Sequence, residues 1–72
     1  MERFEAMVLL KELVAIDLVE PSFVHIMERM PNRYQLQIRS QYNREQLDDF
    51  AKQNSLAIEE DKEKKYLLIF KP

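Results

Sequence analysis

The sequence predicts an α+β fold, a two-layer sandwich of element order α-β-β-α-β-β. A four-stranded, mainly antiparallel sheet is expected to carry two helices on one face. Three observations predict it. Residues 2–16 contain no glycine or proline and are filled with good helix formers. Residues 33–39 alternate strictly between polar and apolar side chains, the two-residue period of a half-buried strand. Residues 43–71 read as a capped helix followed by two strands about a charged turn. The chain has 72 residues, with no linker, repeat or low-complexity stretch, so residues 1–72 are read as a single domain.

The first helix, roughly residues 2–16, is apolar around much of its circumference. Placed at about 100° per residue, Phe4, Val8 and Ala15 fall together, Leu10, Val14 and Met7 lie to one side, and Leu9, Leu13 and Ile16 are opposite. Glu5 and Glu12 share the one clearly polar strip. Such a helix wants cover on more than one side, and a chain this short has little material to supply it. A second subunit is therefore expected to provide part of the cover. Glu20-Pro21-Ser22 breaks the chain.

Residues 23–30 admit two readings. As a helix, Ser22 is a ready N-cap and Phe23, Ile26, Met27 and Met30 share a face. As a strand, Val24, Ile26 and Met30 face one way. The following Met30-Pro31-Asn32-Arg33 reads as a tight turn, with Asn32 suited to a left-handed backbone. A strand that begins after a tight turn pairs with the segment before it. The expectation is thus a hairpin of residues 23–30 and 33–39. In the second helix Asn43 is the N-cap, with Gln46 placed to complete a capping box and Tyr42 and Leu47 spaced as a hydrophobic staple. Leu47, Phe50 and Ala51 form its narrow apolar stripe, and Asn54 is placed to end it where glycine would normally stand. Strands 56–60 and 65–71 follow. In the last, Tyr66, Leu68 and Phe70 point one way and Leu67 and Ile69 the other, so the strand is expected to be central, or to meet a partner on its second face.

Composition excludes more than it assigns. The chain has no glycine, cysteine, threonine or tryptophan, and a single histidine, His25. Glycine-dependent phosphate cradles and nucleophile elbows are ruled out, as are thiolate metal sites and redox pairs. No stoichiometric metal, nucleotide or flavin is expected. No apolar run approaches a membrane span, and the first residues show no signal peptide. The absence of cysteine favours a cytosolic address. The net charge is −2, unevenly spread: residues 29–44 carry four arginines and no acid, while residues 45–63 carry seven acids and two bases.

Against that background the candidate chemistry is thin. His25 has no recognisable nucleophile beside it, since the only small hydroxyls are Ser22, Ser40 and Ser55. His25, Met27 and Met30 make a conceivable soft metal set, but the methionines read as core fillers. Glu59 and Glu60 should leave a strand on opposite faces, so the acidic run Glu59–Glu63 reads as a solvated edge and turn. The constellation with shape is Arg33, Gln35, Gln37 and Arg39, extended by Gln41, which would line one sheet face. Gln and Arg together can contact bases and phosphates, with Tyr34 or Tyr42 at the margin, although alternation points Tyr34 to the opposite face from the arginines. The ordinary alternative is a solvated face whose arginines pair with Glu28, Glu59 or Glu60. An acidic pI of about 5.4 weighs against nucleic acid.

Phe50-Ala51, Leu56-Ala57-Ile58-Glu59-Glu60 and Tyr66 through Lys71 resemble the closing helix-strand-strand of small sulfur-carrier proteins of the TusA type, over about residues 47–71. That resemblance implies a small two-layer α/β sandwich. The family carries sulfur as a persulfide on a cysteine at the start of its first helix, and this chain has neither a cysteine nor the family's opening strand, so no functional residue carries over.

The expected function is a small non-catalytic interaction or assembly module. It would bind itself or another protein through the first helix and last strand, with Phe4, Leu9, Leu13, Leu67 and Ile69 as candidate contacts. The alternative is a nucleic-acid-binding module using the Arg33–Arg39 face. No cofactor and no membrane partner are expected.

Overall fold

The computed structural model describes residues 1–39 and 42–72. Helix α1 spans Arg3–Ala15, and after a short 3-10 turn at Pro21–Phe23 come β1, Val24–Met30, and β2, Arg33–Arg39. Helix α2 is Arg44–Gln53, β3 is Ala57–Asp61 and β4 is Tyr66–Phe70. Ser40 and Gln41, named above as a candidate hydroxyl and a candidate face residue, lie outside the described residues. The element order is the α-β-β-α-β-β expected, and residues 24–30 form a strand. Ser22 sits in the 3-10 turn and does not cap a helix.

The sheet is antiparallel throughout, in the order β1-β2-β4-β3. Helix α2 therefore joins two strands, β2 and β3, that run the same way but are not neighbours. The β3–β4 hairpin turns back and places β4 in the gap. This is why β4, apolar on both faces, is an interior strand. In the β1–β2 hairpin Met30 pairs with Arg33 across the Pro31-Asn32 turn, and Asn32 takes φ 64° as its side-chain type allows. The register slips between Glu28 and Met30, leaving Arg29 as the extra residue of a β-bulge.

Both helices end in the same device, built without glycine. In α1 the Asp17 N–H donates to the Val14 carbonyl and the Leu18 N–H to that of Leu13, with Asp17 at φ 62°. In α2 the Leu56 N–H reaches back to the Ala51 carbonyl at 2.8 Å, with Ser55 at φ 56°. The α1 pair is a Schellman closure, and α2 makes its longer bond over a left-handed residue; both satisfy carbonyls the helix leaves unpaired. Asn54 is thus not the left-handed residue the sequence suggested. Its backbone stays near φ −111°, its amide donates to the Phe50 carbonyl at 2.8 Å, and Ser55 makes the turn. At the other end of α2, Asn43 Oδ1 accepts from the Gln46 N–H at 3.0 Å, as its cap role requires. Helix α1 opens with Glu5 Oε1 accepting from the Glu2 N–H at 3.1 Å.

The core lies between the helices and one face of the sheet. Leu13, Leu36, Ile38, Leu47, Leu67 and Ile69 are its fully buried large side chains, joined by Ala6, Leu9 and Val24. This corrects the candidate interface: Leu9, Leu13, Leu67 and Ile69 are consumed by the chain's own core, and only Phe4 of the five is on the surface. The strand alternation and the Leu47/Ala51 stripe of α2 stand as expected, but Leu67 and Ile69 face the helices, and Leu9 and Leu13 are buried with them while Phe4 is left outside.

Candidate interaction surfaces

The second face of the sheet is covered by neither helix. Strand register lays it out as a grid. One row runs Arg39, Tyr66, Asp61; the next His25, Gln37, Leu68, Glu59; the third Met27, Gln35, Phe70, Ala57. Gln35 and Gln37, in the interior strand β2, are only 7% exposed, while Tyr66, Leu68 and Phe70 of β4 are half-buried and form an apolar central strip. The structure thus brings together all four residues of the Arg/Gln candidate, and puts the aromatic neighbours on β4 rather than at Tyr34 or Tyr42. Tyr34 belongs to the helix side, packed against the core.

Arg29, which sequence reasoning did not single out, organises this face. Its guanidinium carbon sits 3.7 Å from the centroid of the Phe70 ring. Nη1 donates to Gln35 Oε1 at 3.0 Å and Nη2 to Glu59 Oε1 at 2.9 Å. From edge strand β1 the side chain therefore reaches across β2 to the Phe70 ring on β4, where the Glu59 carboxylate from β3 meets it. An arginine stacked on an aromatic ring and forked between two oxygens is held with little residual freedom. Its membership in the acid-free run 29–44 was the signal available in the sequence. The pairing anticipated for Arg33 and Arg39 goes instead to Arg29 with Glu59 and to Arg44 with Glu60. Arg39 donates to Gln37 Oε1 at 3.3 Å, and neither Arg33 nor Arg39 has an ion-pair partner among the described residues. The carboxylate of Glu28 accepts from the Asn32 N–H in the turn.

A second surface lies on the outside of α1. Phe4 is 72% exposed, and Met7, Val8 and, at the helix end, Ile16 are exposed beside it. Phe4 and Val8 border a shallow groove of about 310 Å³ whose floor includes Leu9 and Leu56. Its rim carries Glu5, which is paired at 3.5 Å with Lys71. The Glu2 N–H, with Lys71 assisting, holds the Glu5 carboxyl below the ordinary value of 4.5.

His25 and Met27 are exposed on the open face, and Met30 is exposed beyond the bulge, so the two methionines are not the core fillers the sequence suggested. Glu59 and Glu60 do leave β3 on opposite faces: Glu59 lies across from Leu68 and Glu60 across from Leu67. On the helix side Glu60 accepts from the Tyr42 hydroxyl at 2.8 Å and from Arg44 Nη1 at 2.6 Å, while Arg44 Nε donates to Asp48 at 3.0 Å. This network ties the start of α2 to β3. Burial, and then the Glu60 carboxylate, push the Tyr42 phenol up to about 12. Hydrogen bonding to Asp48 raises the Arg44 guanidinium further.

Among the described residues no helix is long and apolar enough to cross a membrane. Comparison with known proteins finds nothing similar: no family model, no curated protein and no solved structure matches this chain. The sulfur-carrier resemblance therefore stands on the residue pattern of 47–71 alone.

Proposed function

We propose that this chain is a small non-catalytic interaction and assembly module that associates with itself. The observation that carries the proposal is apolar surface left outside a core that is already filled. Phe4, Met7 and Val8 on α1 and Ile16 just past its end are exposed, and Tyr66, Leu68 and Phe70 lie on the uncovered sheet face. Burying such surface is worth about 25 cal/mol per Å². A domain of this size has only about 3–5 kcal/mol of net stability to draw on, so association supports the fold as well. The cysteine-free composition suits a cytosolic setting. Light-scattering mass at micromolar concentration tests the proposal. A dimer or larger species is expected, and a compact monomer would overturn it.

A second reading is favoured by one arrangement. Arg33, Gln35, Gln37 and Arg39 share the open face with Tyr66 and Phe70, and aromatic side chains on the central strands of a four-stranded sheet are a known platform for single-stranded RNA. Against it, Arg29 already occupies the Phe70 ring, and Glu59 and Asp61 border the face with negative charge. Titration with single-stranded RNA at increasing salt separates the readings. Submicromolar binding that both Arg33→Ala and Arg39→Ala abolish would put the nucleic-acid reading first.

A further inference from the structure

We infer that the open sheet face pairs with the same face of a second copy about a two-fold axis parallel to the strands. This rests on the self-association proposed above and names its surface and geometry.

Charge is distributed unevenly across the grid. The β1–β2 half carries Arg33 and Arg39, the β3 edge carries Glu59 and Asp61, and the apolar strip of β4 runs between them. Two sheets stacked face to face lie about 10 Å apart with their strands nearly aligned. A closed dimer offers two simple ways to do this. An axis across the strands, in the plane between the sheets, lays β3 on β3 and β1 on β1, so acid faces acid. An axis parallel to the strands lays β1 on β3 of the other copy and β2 on β4, keeping each row over itself. His25 then stands over the partner's Glu59, and Arg39 stands over the partner's Tyr66 within side-chain reach of the partner's Asp61. Gln37 meets the partner's Leu68, so the apolar strip of each copy is covered by the other. Every one of these contacts occurs twice. Arg39 and Asp61 have no ion-pair partner among the described residues, whereas Arg29 and Glu59 are already matched within the chain. The layout therefore supplies opposite charges for one two-fold and like charges for the other, and like charges brought together are strongly disfavoured.

Charge exchange tests it, read by sedimentation equilibrium with circular dichroism as the folding check. Arg39→Glu and Asp61→Arg should each weaken the dimer by about tenfold or more, because each sets like charges face to face. An equimolar mixture of the two should restore it. In the mixed dimer one contact sets the introduced carboxylate against the introduced guanidinium, and the other stays native. Asp61 Oδ1 also accepts from the Lys64 N–H at 2.9 Å in the β3–β4 turn. Asp61→Asn keeps that acceptor, removes only the charge and should weaken association to a lesser degree. If Asp61→Arg does not fold, Arg39→Glu and Asp61→Asn carry the test. Folded variants that dimerise like the parent, or a mixture that stays monomeric, overturn this geometry. If instead Phe4→Asp dissociates the dimer and the sheet variants do not, the interface is on α1; self-association then stands and this inference fails. A monomeric parent protein overturns both.

Discussion

Replacing Asp17 by glycine should stabilise this protein, although Asp17 makes backbone bonds that look essential. Asp17 holds φ 62° at the residue that closes α1, and its N–H and that of Leu18 complete the Schellman pair. The left-handed conformation costs an L-residue about 1–2 kcal/mol, toward the lower end for aspartate, whose short polar side chain bonds locally. Glycine escapes that cost but returns about 0.5–1 kcal/mol through its greater freedom when unfolded. A second contribution favours the change. The Asp17 carboxylate sits at the negative end of the α1 dipole, an unfavourable placement worth about 0.3–1 kcal/mol at low salt. The balance is a gain of about 1 kcal/mol for Asp17→Gly. Ser55→Gly, which closes α2 at φ 56° without the charge effect, should gain about 0.5 kcal/mol. For a domain of this size 1 kcal/mol is about 4–8 °C in Tm, well within the resolution of a thermal melt. The two changes close different helices and should add. Glycine within the helix is the control: Lys11→Gly should cost about 1 kcal/mol. A Tm for Asp17→Gly equal to or below the parent's would refute the Schellman account of how α1 ends.

Three further outcomes follow from the packing and the polar contacts. Leu13→Ala should cost about 2–5 kcal/mol and leave much of the chain unfolded in the absence of denaturant, because Leu13 is fully buried and the total stability is of that size; circular dichroism reads it directly. Asn43→Ala should lower stability by about 1 kcal/mol in a urea melt through loss of the 3.0 Å bond to the Gln46 N–H, with Asn43→Ser nearly neutral. The Tyr42 phenol, raised in the folded state from 10.0 to about 12, supplies stability that is complete below pH 10 and is lost as pH rises through 12. Ultraviolet titration should show a high-pH tyrosine transition that Tyr42→Phe removes, and persistence of that transition in the variant would dissociate it from the Glu60 contact.

Local pattern was enough to settle the elements and most of their ends. Strict alternation from Arg33 to Arg39, Asn32 in the turn, the Asn43 cap and the two-sided apolar strand Tyr66–Phe70 each have a local physical cause, and each stands where it was expected. Direction was not settled this way. A two-residue period says that Leu67 and Ile69 face one way and Leu68 and Phe70 the other, but nothing in the period says which set meets the helices. That depends on where α1 and α2 land. Once they land on Leu67 and Ile69, Leu9 and Leu13 are buried with them, and the exposed residues become Phe4, Val8 and the outer strip of β4. The role of Arg29 was likewise hidden. Phe70 and Glu59 lie 41 and 30 residues further along the chain. They meet Arg29 only because β4 inserts between β2 and β3 and so comes within reach of edge strand β1. Short-range patterns fix what a segment becomes, because backbone bonds and caps act within a few residues. Which side of that segment meets solvent, and which distant charge it finds, is decided by the pairing order of the strands.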